Sequence, residues 1–367
     1  MRVETPRGAY EVFIGDGLLD DLGTTVKRLT DAATAAVVTD ENVMRLYGSR
    51  VERSLAGAGF RVIIRAVPAG ETSKDWATAG GVLEWLADEG VGRDDVVVAL
   101  GGGVVGDLAG FCASAYMRGV DVVQVPTTLL GQVDSAIGGK TAVDLPGGKN
   151  LAGAFWQPRA VFADLGTLAT LPEAEWRNGL AEVAKSAILD SEAALCRLEA
   201  DAPALGDRDA GATERAVRMA AGLKVRTVSS DERDTGDRES LNYGHTLGHA
   251  IERVAGYGSI GHGVAVAEGM RFAATLAERM AGADAAWTAR QEALLTDLGL
   301  PRSGCEWPAA DLLRAIRADK KARRGRPRFV LTSGAGTWSV VPVTDQALSD
   351  ALEVWCAGPG PAGEGRP

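Results

Sequence analysis

The first half of the chain alternates short, continuous apolar runs with stretches of helical spacing. AAVVTD (35–40), FRVIIRAVP (60–68), DVVVALGGG (95–103) and DVVQVPTT (121–128) are β-branched runs that end in polar or glycine-rich residues. That is the pattern of strands buried on both faces. VETPRGAYEVFIG at the N-terminus reads as a hairpin. Strands alternating with helices predict an α/β domain with a largely parallel sheet, whose ligands sit beyond the carboxyl ends of the strands.

The pattern changes near Leu171 and Pro172. From there to about Asp319, apolar positions recur at helical spacing. In PEAEWRNGLAEVAKSAIL, Trp176, Leu180, Val183 and Ala187 share one face, and Pro172 suits a helix start. RFVLTS and TWSVVPV predict a small late hairpin, and the Gly/Pro-rich AGPGPAGEGRP after Cys356 predicts a disordered tail. The expected organisation is an α/β domain over 1–172, a helical domain over 173–356, a tail over 357–367, and a cleft between the two domains.

Bulk properties remove several function classes. The 367 residues suffice for two ordinary cores, and 46% apolar with 24% charged residues is typical of a soluble globular protein. A net charge of −10 argues against a broad basic surface for nucleic acid. No apolar run approaches the roughly 18 residues of a membrane span. The start, MRVETPRGAYEVF, has no secretory apolar core, so a cytoplasmic location is expected. Cys112, Cys196, Cys305 and Cys356 lie far apart, form no C-x-x-C pair, and read as scattered thiols.

GGGVVGDLAGF begins at Gly101, straight after VVVAL, and satisfies G-x-G-x-x-G. Glycines there let the backbone approach a phosphate, and the following helix offers free N–H groups and a positive dipole end. Such a turn also serves purely structural ends. Asp121, about twenty residues on, opens the next strand and is a poor ribose ligand; Asp40, closing AAVVTD, is better placed. The turn reads as a dinucleotide site of non-Rossmann type.

The only three histidines, His245, His249 and His262, fall within eighteen residues. His245 and His249 are four apart and share a helix face. Their spacing is that of the zincin pair H-E-x-x-H, but Thr246 stands where the protease base would be. A histidine pair on a helix is commonly just a polar contact; His262, just before a second helical run, strengthens the metal reading. A catalytic zinc takes three protein ligands and keeps a position open. The remaining ligand is the third histidine or a carboxylate. Glu182, three residues before Lys185, is a candidate whose bland alternative is an exposed i, i+3 ion pair.

Seven segments carry a resemblance. GGGVVGDLAGF, PTTLLGQVDSAIGGKTAVDLPGGKNLAGAF, ADLGTLATLP, GLAEVAKSAIL, NYGHTLGHAIE, HGVAVAEGM and DKK resemble the 3-dehydroquinate synthase family of sugar-phosphate cyclases, in order and over nearly the whole chain. The resemblance implies a dehydroquinate synthase-like fold: a non-classical Rossmann-like α/β domain with a mostly parallel sheet, followed by an all-α domain. It implies one divalent metal, zinc or cobalt, on Glu182, His245 and His262, with His249 left as a hydrogen-bonding or proton-relaying group.

It further implies NAD contacts at Ala69, Gly70, Glu71, Thr72, Ser73 and Lys74. Others fall at Gly103, Val104, Val105, Gly106 and Asp107, at Thr127 and Thr128, at Lys140 and Lys149, and at Thr167, Leu168, Ala169 and Thr170. Asp40 and Asn42 are the expected ribose contacts. The implied substrate is 3-deoxy-D-arabino-heptulosonate 7-phosphate, held or worked on by Lys140, Lys149, Asn150, Lys185, Lys224, Arg238, Lys320, Asp134 and Asn242. Arg118 resembles an arginine that reaches the phosphate site of a neighbouring subunit, which implies a homodimer.

The match weakens in DERDTGDRESLNYGH, where Asp234 and Asp237 replace the family's glutamate and leucine beside Arg238. That leaves room for an aminodehydroquinate synthase of secondary metabolism. From another class, a metal- and NAD-dependent polyol dehydrogenase shares the two-domain fold but would release NADH.

Overall fold

The computed structural model describes residues 1–6, 8–256, 258–302, 307–318 and 326–357. Lys320, an expected substrate lysine, and the expected tail beyond Ala357 lie outside them. The chain divides into two compact units, Met1–Pro172 with Ala221–Arg233, and Glu173–Ala220 with Asp234–Pro367. The division is therefore not the single cut after Pro172 that the sequence suggests, because residues 221–233 group with the first unit.

In the first unit, β1 (Arg2–Thr5) and β2 (Gly8–Gly15) pair antiparallel. The strands β3 (Thr34–Asp40), β4 (Arg61–Val67), β5 (Val96–Gly101) and β6 (Asp121–Pro126) are parallel. β7 (Lys140–Leu145) and β8 (Gly148–Phe155) form a separate antiparallel hairpin, before β9 (Ala160–Asp164) closes the sheet between β2 and β6. The order is β1-β2-β9-β6-β5-β3-β4. The continuous apolar runs of β3, β5 and β6 are explained by burial on both faces, whereas β4, expected to be buried likewise, is an edge strand in which only Val67 is fully buried. Ala35 and Val37 enter one core with Leu22, Val26, Val51 and Leu55 of helices α1 (Leu22–Leu29) and α3 (Ser49–Gly57). Their neighbours Ala36 and Val38 enter the other, with Val82 and Leu86 of α4 (Trp76–Asp88) and Leu108 and Cys112 of α5 (Gly103–Ala115). A short turn of helix, α2 (Glu41–Val43), follows β3.

The second unit is mainly helical: α6 (Glu173–Asp190), α7 (Glu192–Gly206), the first half of α8 (Ala210–Ser230), α9 (His245–Ala255), α10 (His262–Met280), α11 (Ala285–Asp297) and α12 (Ala309–Arg317). The expected hairpin, β10 (Arg328–Gly334) with β11 (Thr337–Pro342), precedes a last helix, α13 (Asp345–Ala357). Helix starts follow sequence chemistry: the side chains of Ser191 and Asp284 accept from Ala194 N at 3.2 Å and Trp287 N at 2.8 Å, caps worth about 1 kcal/mol each. Cys112 and Cys196 are free thiols, whereas Cys356 is disulfide-bonded, a departure from the scattered thiols expected.

Candidate active site

Except for Lys140 and Lys149, which lie on the antiparallel β7–β8 hairpin, the segments expected to touch a dinucleotide leave the carboxyl ends of parallel strands. Asp40 and Asn42 follow β3, Ala69 to Lys74 follow β4, and Gly103 to Asp107 open the helix after β5. Thr127 and Thr128 follow β6, and Thr167 to Thr170 follow β9. From β3 the chain passes outward to β4, then from β4 back across to β5 on the other side of β3. That reversal is the position where open α/β sheets form a binding crevice.

The glycines of the β5–α5 turn answer to packing. A Cβ on Gly101 would lie 2.7 Å from Val105 Cβ, one on Gly102 2.8 Å from Thr128 Cγ2, and one on Gly106 2.8 Å from Gln124 Oε1. Asp40 is already employed: its Oδ1 accepts from Asn42 N at 2.8 Å and Val43 N at 3.0 Å, capping α2. Thr167 and Leu168 are buried, which leaves Ala169 and Thr170 exposed. Two residues that sequence reading missed organise this edge. Gln132 Nε2 donates to Pro126 O, Asp164 O and Thr167 Oγ1 at 3.2, 2.9 and 3.1 Å, and Tyr47 OH donates to Thr167 O at 3.1 Å. Neither carries a local sequence signal, because both act across chain-distant loops.

Lys74 is buried at the centre of a charged cluster. Its Nζ lies 3.1 Å from Asp107 Oδ2 and 3.3 Å from Glu71 Oε1, and Lys149 Nζ lies 3.5 Å from the same Glu71 oxygen. Burial works against the Lys74 ammonium, but Asp107, Glu71 and Asp144 together hold its pKa above the usual lysine range. Burial pushes the Asp107 carboxyl up to about 6, an effect that Lys74 only partly offsets. The β7–β8 hairpin is tied to this cluster through Asp144, whose N–H donates to Lys74 O and whose Oδ1 accepts from Asn150 N, each at 2.7 Å.

Lys140 stands exposed at the head of β7. The turn before it needs φ of +103° at Gly138 and +66° at Gly139, a region open to glycine. Lys224, on the α8 segment that belongs to the first unit, pairs with Asp134 at 2.6 Å. Arg118 is exposed on a left-handed turn, with φ of +50° at Met117, +68° at Arg118 and +125° at Gly119.

In the second unit the three donors expected for a metal come together. His245 and His262 are each the first residue of a helix, α9 and α10. Those helix starts approach closely because Gly244, Gly248 and Gly269 leave no side chain between them. Asn178 of α6 anchors the start of α10, its Oδ1 accepting from Gly263 N at 3.0 Å. One turn further along α6, Glu182 presents Oε1 at 3.5 Å from Nε2 of both His245 and His262. Ligand atoms of the three residues all lie within 4.8 Å of one another. His245 Nδ1 faces Tyr243 O at 3.1 Å, which turns Nε2 toward Glu182. Burial opposes a charged His262, but the carboxylates of Glu182 and Glu252 raise it to about 9.

His249, four residues along α9, packs edge-on to His245 with ring centroids 5.3 Å apart, outside the three-residue donor group. Lys185 forms an ion pair with Glu182, and both are 1% exposed, so the pair is buried and not the solvated surface contact that spacing alone allows. Arg238 is also 1% exposed, and Asn242 ends the same 3₁₀ turn, Asp237–Asn242. Asp234 precedes that turn with φ of +59°. Asn178 and Glu252 escaped sequence reading because each acts on a residue of another helix. One buried carboxylate with two imidazoles, each presenting Nε2, fits a divalent ion of the zinc or cobalt kind.

Solved structures of like fold define the class as that of the sugar-phosphate cyclases. A 2-deoxy-scyllo-inosose synthase complexed with carbaglucose-6-phosphate, NAD+ and Co2+ superposes with a TM-score of 0.86 at 25% identity, covering 96% of this chain and 98% of that one. A 2-epi-5-epi-valiolone synthase from Streptomyces hygroscopicus with NAD+ and Zn2+ bound gives 0.86 at 28% identity, covering 94% and 96%. The chain belongs to the 3-dehydroquinate synthase family. Sequence models of the family's N-terminal and C-terminal parts match residues 64–178 and 179–322. The 3-dehydroquinate synthase of Geobacter metallireducens is 45% identical over 346 residues, 94% of this chain and 96% of that protein.

Proposed function

We propose that this chain is an NAD- and metal-dependent 3-dehydroquinate synthase, converting 3-deoxy-D-arabino-heptulosonate 7-phosphate to 3-dehydroquinate and phosphate. The observation that carries the metal dependence is the convergence of Glu182, His245 and His262 in the second unit; the strand-order reversal in the first unit's sheet supports the nucleotide reading. These three residues would hold the ion, and the segments after β3, β4, β5, β6 and β9 would hold the nucleotide. When bound, the nucleotide supplies a reversible hydride acceptor and the ion supplies Lewis acidity at the substrate's hydroxyls. Oxidation and re-reduction cancel, so the reaction releases phosphate without net NADH.

The protein's own share is binding, orientation and proton handling. Lys140, Lys149 and Lys224 of the first unit, and Lys185 and Arg238 of the second, are the cations offered to the substrate's carboxylate and phosphate. Asp134, Asn150 and Asn242 offer hydrogen bonds to its hydroxyls. His249, beside His245 yet outside the donor set, would serve as a proton carrier. Holding one flexible ligand in successive reactive conformers is itself worth several kcal/mol, about 7 or more in well-oriented cases. We assign Arg118 to the phosphate site of a second copy, which makes the functional form a homodimer, and the cytoplasm as its location. No described helix is long and apolar enough to cross a membrane.

Incubation with the heptulosonate phosphate, NAD and a divalent metal tests the reading. Phosphate release with formation of the carbocycle and no accumulating NADH is expected. Stoichiometric NADH from a simple polyol would replace the proposal with a dehydrogenase, and turnover restricted to an amino-substituted sugar would replace it with the aminodehydroquinate synthase.

A further inference from the structure

Glu252 lies on α9 seven residues after His245, on the helix face that also carries His249. It is 4% exposed. Its Oε2 stands 3.5 Å from Nδ1 of His262, while Glu182 Oε1 stands 3.5 Å from Nε2 of the same ring. The His262 imidazole thus spans two carboxylates, one at each nitrogen. His245 is held differently, with a neutral carbonyl, Tyr243 O, at its Nδ1.

A metal-bound imidazole uses one nitrogen for the ion and donates the other N–H to an acceptor, which fixes the tautomer and ring angle and raises the ligand's basicity. A carboxylate is a stronger acceptor than a carbonyl. His262 has more need of one: its side chain is 31% exposed against 11% for His245, so packing restrains it less.

We propose that Glu252 is a positioning residue that holds the Nδ1–H of His262, aims Nε2 at the ion, and thereby sets the affinity of the centre for its metal. The proposal rests on Glu182, His245 and His262 being the ligands. A buried glutamate with a purely structural role would change stability without changing how His262 meets the ion.

The full chain, stripped with a chelator and reloaded with Co2+, provides the test through its visible absorption and its affinity in competition with a chromogenic chelator. Glu252→Gln keeps the size and a carbonyl acceptor but removes the charge. It is expected to weaken Co2+ binding by about 10–100-fold and to alter the absorption bands. Unchanged affinity with an unchanged spectrum overturns the proposal, whereas failure of the unsubstituted protein to bind Co2+ overturns the ligand assignment instead. Should Glu252→Gln not fold by circular dichroism, the unsubstituted protein still decides. With three histidines in the chain, ring-15N labelling yields three pairs of Nδ1 and Nε2 resonances. A protonated Nδ1 on His262 in the zinc-loaded state supports the proposal, and a metal-bound or deprotonated Nδ1 overturns it.

Discussion

Gly269 of α10 lies directly on the backbone of Gly244, the residue before α9: a Cβ at Gly269 would overlap the Gly244 carbonyl oxygen. In return, a Cβ at Gly244 would meet Val266 O at 2.6 Å. Two helices therefore touch backbone to backbone, and this contact sets the ring centroids of His245 and His262 5.4 Å apart. Gly269→Ala is expected to cost about 1–3 kcal/mol by overpacking and to reduce metal uptake as the rings separate. Gly206→Ala, at a helix end with open space around its Cβ, serves as control and leaves both unchanged. Urea melts and metal titration read the outcome, and a Gly269→Ala protein as stable and as metal-competent as its parent would refute the packing account.

Removing a donor atom should remove the ion. Glu182→Gln and His262→Ala are expected to lose bound metal and catalytic turnover together, because a three-donor site has none to spare. Elemental analysis of the purified variants beside phosphate-release assays checks this. Full metal content in either variant would reassign the ligands.

Lys140 is exposed at the start of β7, so its loss should spare the fold. A charged hydrogen bond contributes about 1.5–3 kcal/mol, so Lys140→Ala should lower kcat/KM by roughly 10–100-fold. An unaltered kcat/KM would take Lys140 out of the site.

Asp107 makes a pH-dependent contribution whose sign follows from its raised carboxyl. Its folded value of about 6 lies above the ordinary 3.8, so the folded state holds an extra proton between those values. The stability this group contributes is complete below about pH 4 and is lost as pH rises through 6. The stability difference between the parent and Asp107→Asn should shrink by on the order of 2 kcal/mol from pH 4 to pH 7. Denaturant melts across that range would show it, and a pH-independent difference would contradict it.

Much of the first unit could be read directly, because strands buried on two faces leave uninterrupted β-branched runs, as VVVAL does in β5. β9 escaped notice, since AVFAD is short and lies within a longer irregular stretch. The β7–β8 hairpin escaped too: β7, KTAVDL, is a short mixed run, and β8, GKNLAGAF, is interrupted by glycines, so neither shows a clean alternation or a continuous apolar run. At the metal-type centre, spacing exposed the histidines but could not choose among them. The choice depends on direction, because His245 and His262 both begin helices that meet α6, while His249 sits a turn deeper along α9. Asn178 was invisible for a related reason: it accepts from Gly263 N, 85 residues later, at the start of another helix. The grouping of residues 221–233 with the first unit cuts through one continuous helix, α8, and no linker composition marks it.

The glycine turn after β5 carries a practical consequence. Val105, Thr128 and Gln124 crowd Gly101, Gly102 and Gly106 from within the same fold. Substitutions there would thus be felt on the ribosome product before they are felt by any nucleotide. Low soluble yield and early melting are their expected signature, and a screen that scored only cofactor affinity in surviving variants would wrongly record this loop as tolerant.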